Sequence, residues 1–177
     1  MNGEHRRRID QILDEGFLAG LEDADLDALR DMRRMTDEVE TELSYYRRLL
    51  HGRMDLLSFE LRRRSGDESR SLIEALPEIL GSGERTGPFG RVPAIFSPDL
   101  PEDRHRPVDK VLGDDFLTRM PELEEAELTE MQELLADTEE RISDQRRSVQ
   151  KVFDAIQGEI TRRYKDGVAD SADLLSD

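Results

Sequence analysis

Five polar residues recur in the same order at two places in the chain. In each copy a glutamate is followed by a serine, an arginine, a hydrogen-bonding side chain and an aspartate, at steps of four, three, four and four residues. Such steps bring side chains to one side of an α-helix. The first motif is Glu40, Ser44, Arg47, His51 and Asp55, and the second motif is Glu139, Ser143, Arg146, Gln150 and Asp154.

This combination of side chains suits a ligand that carries guanine and phosphate. Arginine can bind the O6 and N7 edge of guanine, stack on a purine face or neutralise a phosphate. Asp55 and Asp154 can accept hydrogen bonds from N1 and N2 of guanine, and the motif glutamates can orient the arginines. The alternative is a solvated face of ion pairs at four-residue spacing. A single motif would fit that alternative, but two copies favour a ligand site.

Two long helices are predicted to carry the motifs. The first spans residues 25–64, with Asp23 or Asp25 as N-cap and Gly66 after its end, and the second spans residues 122–165 before Gly167. An offset of 99 residues aligns their apolar positions, which repeat every seven residues and predict a coiled coil. This heptad seam consists of Leu29, Thr36, Leu43, Leu50 and Leu57 in the first helix and Leu128, Leu135, Ile142, Val149 and Ile156 in the second.

The predicted fold is all-α, an antiparallel two-helix coiled-coil hairpin with short accessory helices. The motif residues lie about 100° around each helix from the seam. In an antiparallel pair the two motifs would therefore face each other across one shallow groove with approximate twofold symmetry. A homodimer that exchanges helices is the alternative arrangement.

Three further segments flank the long helices. Residues 1–24 are predicted to contain a short helix on which Leu13, Phe17 and Leu21 share one face. Residues 65–121 hold all seven prolines and form a long connector, rich in proline and glycine, that begins with a short helix. The acidic tail, residues 166–177, is predicted to lack fixed structure.

Composition restricts the possible functions. The formal net charge of −16 argues against binding to a nucleic-acid backbone and suits a basic protein partner. The absence of cysteine excludes thiolate metal sites and favours a cytoplasmic location, and no apolar run is long enough for a membrane span. Three scattered histidines and the lack of a phosphate-binding glycine loop indicate that the chain is not an enzyme and has no catalytic residues or metal site.

The doubled pattern resembles that of the RsiG-like anti-sigma factors of actinobacteria. The second motif matches the family pattern E-x3-S-x2-R-x3-Q-x3-D in full, and the first departs from it once, at His51. The resemblance implies that all ten motif residues bind a dimer of cyclic di-GMP on an antiparallel coiled coil. It also implies that the loaded protein holds one sporulation sigma factor resembling WhiG inactive and releases it when the nucleotide is lost.

Some alternatives stay open at this point. A structural coiled-coil adaptor would have the same seam and would ignore nucleotides. A neutral imidazole offers fewer hydrogen bonds than an amide, so His51 predicts weaker or more pH-sensitive binding by the first motif. The surface that meets the sigma factor is not determined. Candidates are the acidic outer faces, the N-terminal helix around Phe17 and the connector around Ile95 and Phe96.

Overall fold

The computed structural model describes residues 7–81, 116–165 and 167, and over these residues it is all-α. The two long helices pack against each other, which confirms the predicted all-α hairpin. The elements are α1 (Arg8–Ile12), α2 (Leu26–Ser65), α3 (Leu72–Gly81), α4 (Phe116–Arg119), a 3-10 helix (Met120–Glu122) and α5 (Glu125–Lys165).

Helix α2 begins and ends at sequence signals of the expected kinds. At its start, the carboxylate of Asp25 accepts a hydrogen bond of 2.7 Å from the backbone N–H of Ala28, as an N-cap does. At its end, Gly66 has a φ of +86°, and the backbone N–H of Asp67 donates to the carbonyl of Arg62 at 2.9 Å. Glycine adopts this left-handed conformation without a steric cost, so the helix can stop there.

Helix α5 begins three residues later than the predicted helix 122–165. The 3-10 helix includes Pro121, and the following Leu123 is extended, with a ψ of 145°. The backbone N–H of Glu124 then donates to the carboxylate of Glu127 at 2.8 Å, which satisfies a donor that has no partner within the helix. The helix ends at Lys165, two residues before Gly167, which has a φ of +70°.

The chain forms two compact units, and the long helices contribute to both. The first unit is Met1–Leu43 with Asp144–Asp177, and the second unit is Ser44–Ser143. In the first unit the beginning of α2 packs with the end of α5. In the second unit the rest of α2 packs with the beginning of α5, so the helices are antiparallel within each unit.

All ten positions of the predicted heptad seam are buried. The apolar members exclude water as a coiled coil requires. Thr36, the polar member, is fully buried because its hydroxyl donates to the carbonyl of Met32 at 2.8 Å, which leaves no unsatisfied donor.

Two glutamates lie buried among the core residues, which the sequence did not lead us to expect. Glu60 in the second unit is 3% exposed, and its carboxylate accepts hydrogen bonds from Arg63 and Arg64. Glu159 in the first unit is 8% exposed and is bound in the same way by Arg162 and Arg163. Arginine at the third and fourth following positions lies on the same turn and neutralises the buried charge.

In each unit the second arginine bound to the buried glutamate also donates to backbone carbonyls of the segment that precedes the other long helix. In the second unit Arg64 donates to the carbonyls of Met120, Pro121 and Leu123, at 3.2, 3.2 and 2.5 Å. In the first unit the corresponding residue, Arg163, donates to two carbonyls, those of Leu21 at 3.1 Å and Glu22 at 3.0 Å. Residues 21 and 22 precede residues 120 and 121 by the same 99 positions, so the internal repeat includes this contact.

The prediction of one apolar helical face at the N-terminus is wrong. Helix α1 ends at Ile12, and turns follow as far as residue 24, so Leu13, Phe17 and Leu21 do not lie on one helix. The carboxylate of Asp14 accepts from the backbone N–H of Gly16 at 2.8 Å, a local bond that competes with helix formation. The predicted apolar pair Ile95 and Phe96 and most of the acidic tail lie outside the described residues.

Candidate functional site

In the second unit the two motifs meet at a single carboxylate oxygen. Glu139 Oε1 accepts hydrogen bonds from Arg47 Nε at 3.1 Å and from Ser143 Oγ at 2.8 Å. His51 Nε2 lies 2.9 Å from the same oxygen and donates to it when that nitrogen is protonated. Arg47 and His51 belong to the first motif and Glu139 and Ser143 to the second, so residues of both long helices form this cluster.

The surroundings of Glu139 keep it ionised. Burial raises its pKa, but the hydrogen bonds from Ser143, His51 and Arg47 outweigh burial and hold the pKa below its usual range. The charged carboxylate then fixes the orientation of the Arg47 guanidinium, because a bond between two ionised groups is shorter and stronger than a neutral one.

The first unit contains the corresponding arginine and glutamate. Arg146 Nε donates to Glu40 Oε1 at 2.7 Å, which joins the second motif to the first. Positions 47 and 146 differ by 99 residues, and so do 40 and 139, so the two arginine–glutamate pairs are equivalent and reciprocal. The sequence predicted that the glutamates orient the arginines. The structure adds that each pair joins two different helices.

The pairing leaves both arginines accessible. The side chain of Arg47 is 37% exposed and that of Arg146 is 36% exposed, whereas their carboxylate partners are about half as exposed, at 20% and 21%. Each bond uses Nε, which is one of the five N–H donors of a guanidinium. The glutamate therefore fixes the cation in a defined orientation while a ligand can still reach it from solvent.

A family model described as RsiG-like matches residues 15–80 and 114–177, which together are more than half of the chain. The chain belongs to the RsiG-like family. This is a family of regulatory anti-sigma factors and not of enzymes, so membership indicates an anti-sigma role. No curated protein matches the chain significantly. The family was predicted from the two motifs, and the match confirms it.

The fourth position of the motif differs between the two copies in this RsiG-like chain. His51 contacts Glu139 on the opposite helix, whereas Gln150 Nε2 donates to Asp154 Oδ1 on its own helix at 2.9 Å. The remaining members, Ser44 and Asp55, lie on α2 and are half-buried and exposed, respectively.

Further polar contacts between the long helices follow the same repeat, and the sequence analysis missed them. In the first unit Arg33 Nη1 donates to Gln157 Oε1 at 3.2 Å, and in the second unit Gln132 Nε2 donates to Ser58 Oγ at 3.1 Å. Arg33 and Gln132 differ by 99 positions, and so do Ser58 and Gln157. The sequence did carry a signal for the buried glutamates, because E-x2-R-R occurs at Glu60 and again at Glu159.

The described part of the chain offers no metal site in which three or more histidine or carboxylate side chains converge. Within the same residues, no helix is both long and apolar enough to cross a membrane. Each unit of this family member instead contains a candidate site of its own, an arginine–glutamate pair with the motif residues around it.

Proposed function

We propose that this RsiG-like chain is an anti-sigma factor that responds to cyclic di-GMP. Two nucleotides bind to the motif residues, and the loaded chain sequesters a sporulation sigma factor resembling WhiG. The observation that carries this proposal is the reciprocal pair of contacts, Arg47 with Glu139 and Arg146 with Glu40, each of which fixes a partly exposed guanidinium.

Each unit contains one set of motif residues, which we name a half-set. The half-set of the first unit is Glu40, Arg146, Gln150 and Asp154, and that of the second unit is Ser44, Arg47, His51, Asp55, Glu139 and Ser143. Both contain an oriented arginine, a second carboxylate and a further hydrogen-bonding side chain. One nucleotide per half-set accounts for the duplication.

The charges support an anionic ligand that also carries guanine. The chain has a formal net charge of −16, so a phosphate needs local cations to bind. Arg47 and Arg146 supply them, and a guanidinium can neutralise a phosphate or bind the guanine O6 and N7 edge. Asp55 and Asp154 are exposed carboxylates that can accept from N1 and N2 of guanine. Adenine lacks that pair of donors, so the half-sets would discriminate between the two bases.

Calorimetric titration of the full chain with cyclic di-GMP tests the nucleotide site. We expect two molecules per chain and no measurable heat with cyclic di-AMP. Each of the substitutions Arg47→Ala and Arg146→Ala should weaken its half-set by about 10- to 100-fold, because each removes charged hydrogen bonds.

Arg34→Ala is the matched control, because Arg34 is exposed and pairs with Asp31 on its own helix. It should leave the titration unchanged. The absence of binding by the unaltered chain, or unchanged binding by the Arg47→Ala, Arg146→Ala double variant, would contradict the nucleotide site. A structural coiled-coil adaptor would give that result, since it would pack the same seam and ignore the nucleotide.

A further inference from the structure

Helix α3 is stabilised by local interactions at its N-terminus. Ser71 and Glu74 form a capping box, in which the Ser71 backbone N–H donates to Glu74 Oε2 at 2.8 Å and the Glu74 backbone N–H donates to Ser71 Oγ at 3.3 Å. The guanidinium of Arg70 also binds the carboxylate of Glu78 at 2.7 Å, which ties a residue two positions before the helix to its second turn. These contacts favour a helix that is formed before any partner arrives.

This helix exposes an apolar side chain to an unusual degree. Ile73 is 84% exposed, whereas the other large apolar side chains classed as exposed in the described residues are between 38% and 51% exposed. Ala75 lies about 200° around the helix from Ile73 and is 1% exposed, so the opposite face of the helix is buried. An α3 patch can thus be defined as Leu72, Ile73, Leu76 and Pro77.

Carboxylates border the α3 patch along one side of the helix and precede its N-terminus. Asp67, Glu68, Glu74 and Glu78 lie within or just before the helix, against one guanidinium, that of Arg70. Four negative charges against one positive charge leave a net charge of −3 along residues 67–78. An apolar centre with a charged rim is the usual layout of a protein interface, and this rim selects a basic partner.

We infer that the α3 patch is the docking surface for the sigma factor, which presents an apolar surface bordered by lysine and arginine. The inference rests on the proposed function, because the partner of an anti-sigma factor is a DNA-binding protein. Such proteins need clustered basic residues to bind the phosphate backbone. The acidic rim of α3 complements that basic surface, and Ile73 supplies the apolar contact at its centre.

A second copy of this chain is a poorer occupant of the patch. Self-association through α3 would bring two acidic rims together in molecules that each carry a formal net charge of −16. Like charges across an interface suppress association. Charge complementarity therefore favours a basic partner over a second copy of the chain.

The test measures the affinity of the full chain, loaded with cyclic di-GMP, for the purified sigma factor. Ile73→Asp should weaken binding by about 10- to 100-fold, the effect expected when a buried isoleucine contact is lost. Ile73→Ala should show a smaller loss. Glu78→Lys should also weaken binding, since it places a cation on the rim, and the on-rate of the unaltered chain should fall as salt is added.

Leu134→Asp is the matched control, because Leu134 is 51% exposed in the same unit and lies on α5. It should change the sigma affinity by less than about twofold if α3 forms the interface. The affinity for cyclic di-GMP should be the same in all of these variants, and the helical circular dichroism of Ile73→Asp should match that of the unaltered chain.

The possible failures are distinguishable. If the unaltered loaded chain does not bind the sigma factor, the proposed function fails and this inference fails with it. If the unaltered chain binds and Ile73→Asp binds equally well, only the α3 docking surface is overturned. The chain could instead form a concentration-dependent dimer that Ile73→Asp abolishes, while sigma binding stays unchanged. That result would overturn the sigma docking surface and would assign the α3 patch to a second copy of the chain.

Discussion

At the scale of single residues, Glu139 connects the two motifs within the second unit. Three donors converge on its Oε1 atom, and two of them, Arg47 and His51, come from the opposite helix. The sequence predicted which residue types would cooperate, because helical spacing places them on one side of each helix. It did not assign each arginine to a glutamate, because that assignment depends on the register between two helices and not on the spacing within one.

His51 should make nucleotide binding in the second unit weaker than a glutamine at this position would. A neutral imidazole offers one donor and one acceptor, whereas an amide offers more of both, and Nε2 of His51 already lies 2.9 Å from Glu139 Oε1. We expect His51→Gln to raise the affinity of this half-set by about 2- to 10-fold, the effect of about one hydrogen bond. Titration of both forms of the chain with cyclic di-GMP measures this.

The duplicated motif supplies the controls for this experiment. Gln150→His should weaken the half-set in the first unit by a similar factor, because it makes the reverse exchange at the equivalent position. If His51→Gln leaves the affinity for cyclic di-GMP unchanged, the role assigned to His51 is wrong.

At the scale of the elements, the sequence predicted the long helices well and the buried charges poorly. All ten seam positions are buried because a repeat of seven residues keeps one face of each helix toward its neighbour. Glu60 and Glu159 were not predicted to be buried, because isolated carboxylates rarely leave water. The arginines three and four residues later make the burial of these glutamates possible. Their contacts depend on side-chain geometry, which a hydrophobic pattern does not report.

Gly52→Ala should stabilise α2. A Cβ atom added at Gly52 would meet nothing within 4 Å, and alanine is favoured over glycine in a helix interior by about 1 kcal/mol. The free energy of unfolding in urea should rise by about that amount, with the nucleotide affinity unchanged.

Gly66→Ala is the control for Gly52→Ala, since Gly66 has a φ of +86° at the end of the same helix. Alanine is strained in that conformation, and the free energy of unfolding should fall by about 1 kcal/mol. A loss of nucleotide affinity in Gly52→Ala would contradict the prediction and would mean that the ligand approaches the backbone at Gly52.

The buried glutamates should make the fold sensitive to acid. The hydrogen bonds from Arg162 and Arg163 lower the pKa of Glu159 to about 2, and those from Arg63 and Arg64 help to lower that of Glu60. A carboxyl group whose pKa is lower in the folded state stabilises the fold above its unfolded pKa. That contribution is lost as pH falls through the folded pKa. Stability should therefore decline from about pH 5 toward pH 2.

Urea unfolding at several pH values tests the contribution of these two carboxylates. Glu159→Gln should reduce the slope of stability against pH in that window. At pH 7, Glu60→Gln should lower the free energy of unfolding by on the order of 2 kcal/mol, because its charged hydrogen bonds are lost. Glu133→Gln, at an exposed position of α5, should change neither quantity. An unchanged slope in Glu159→Gln would contradict the role assigned to this cluster.

At the scale of the whole molecule, the repeat of 99 residues extends well beyond the motifs. It relates the motif pairs, the contacts of Arg33 and Gln132, and the clusters at Glu60 and Glu159, so the two units contain equivalent contacts. The sequence showed this duplication only where residue types are identical or apolar. The shared helical face of Leu13, Phe17 and Leu21 was predicted wrongly, because α1 ends at Ile12 and local hydrogen bonds such as that between Gly16 and Asp14 replace the helix.

The proposal as a whole requires that nucleotide binding and sigma binding be coupled. The most direct measurement is the affinity of the full chain for a sporulation sigma factor resembling WhiG, with and without saturating cyclic di-GMP. We predict a complex only when the nucleotide is present and no complex with the Arg47→Ala, Arg146→Ala double variant at the same nucleotide concentration. Equal affinity for the sigma factor with and without cyclic di-GMP would contradict the proposed function.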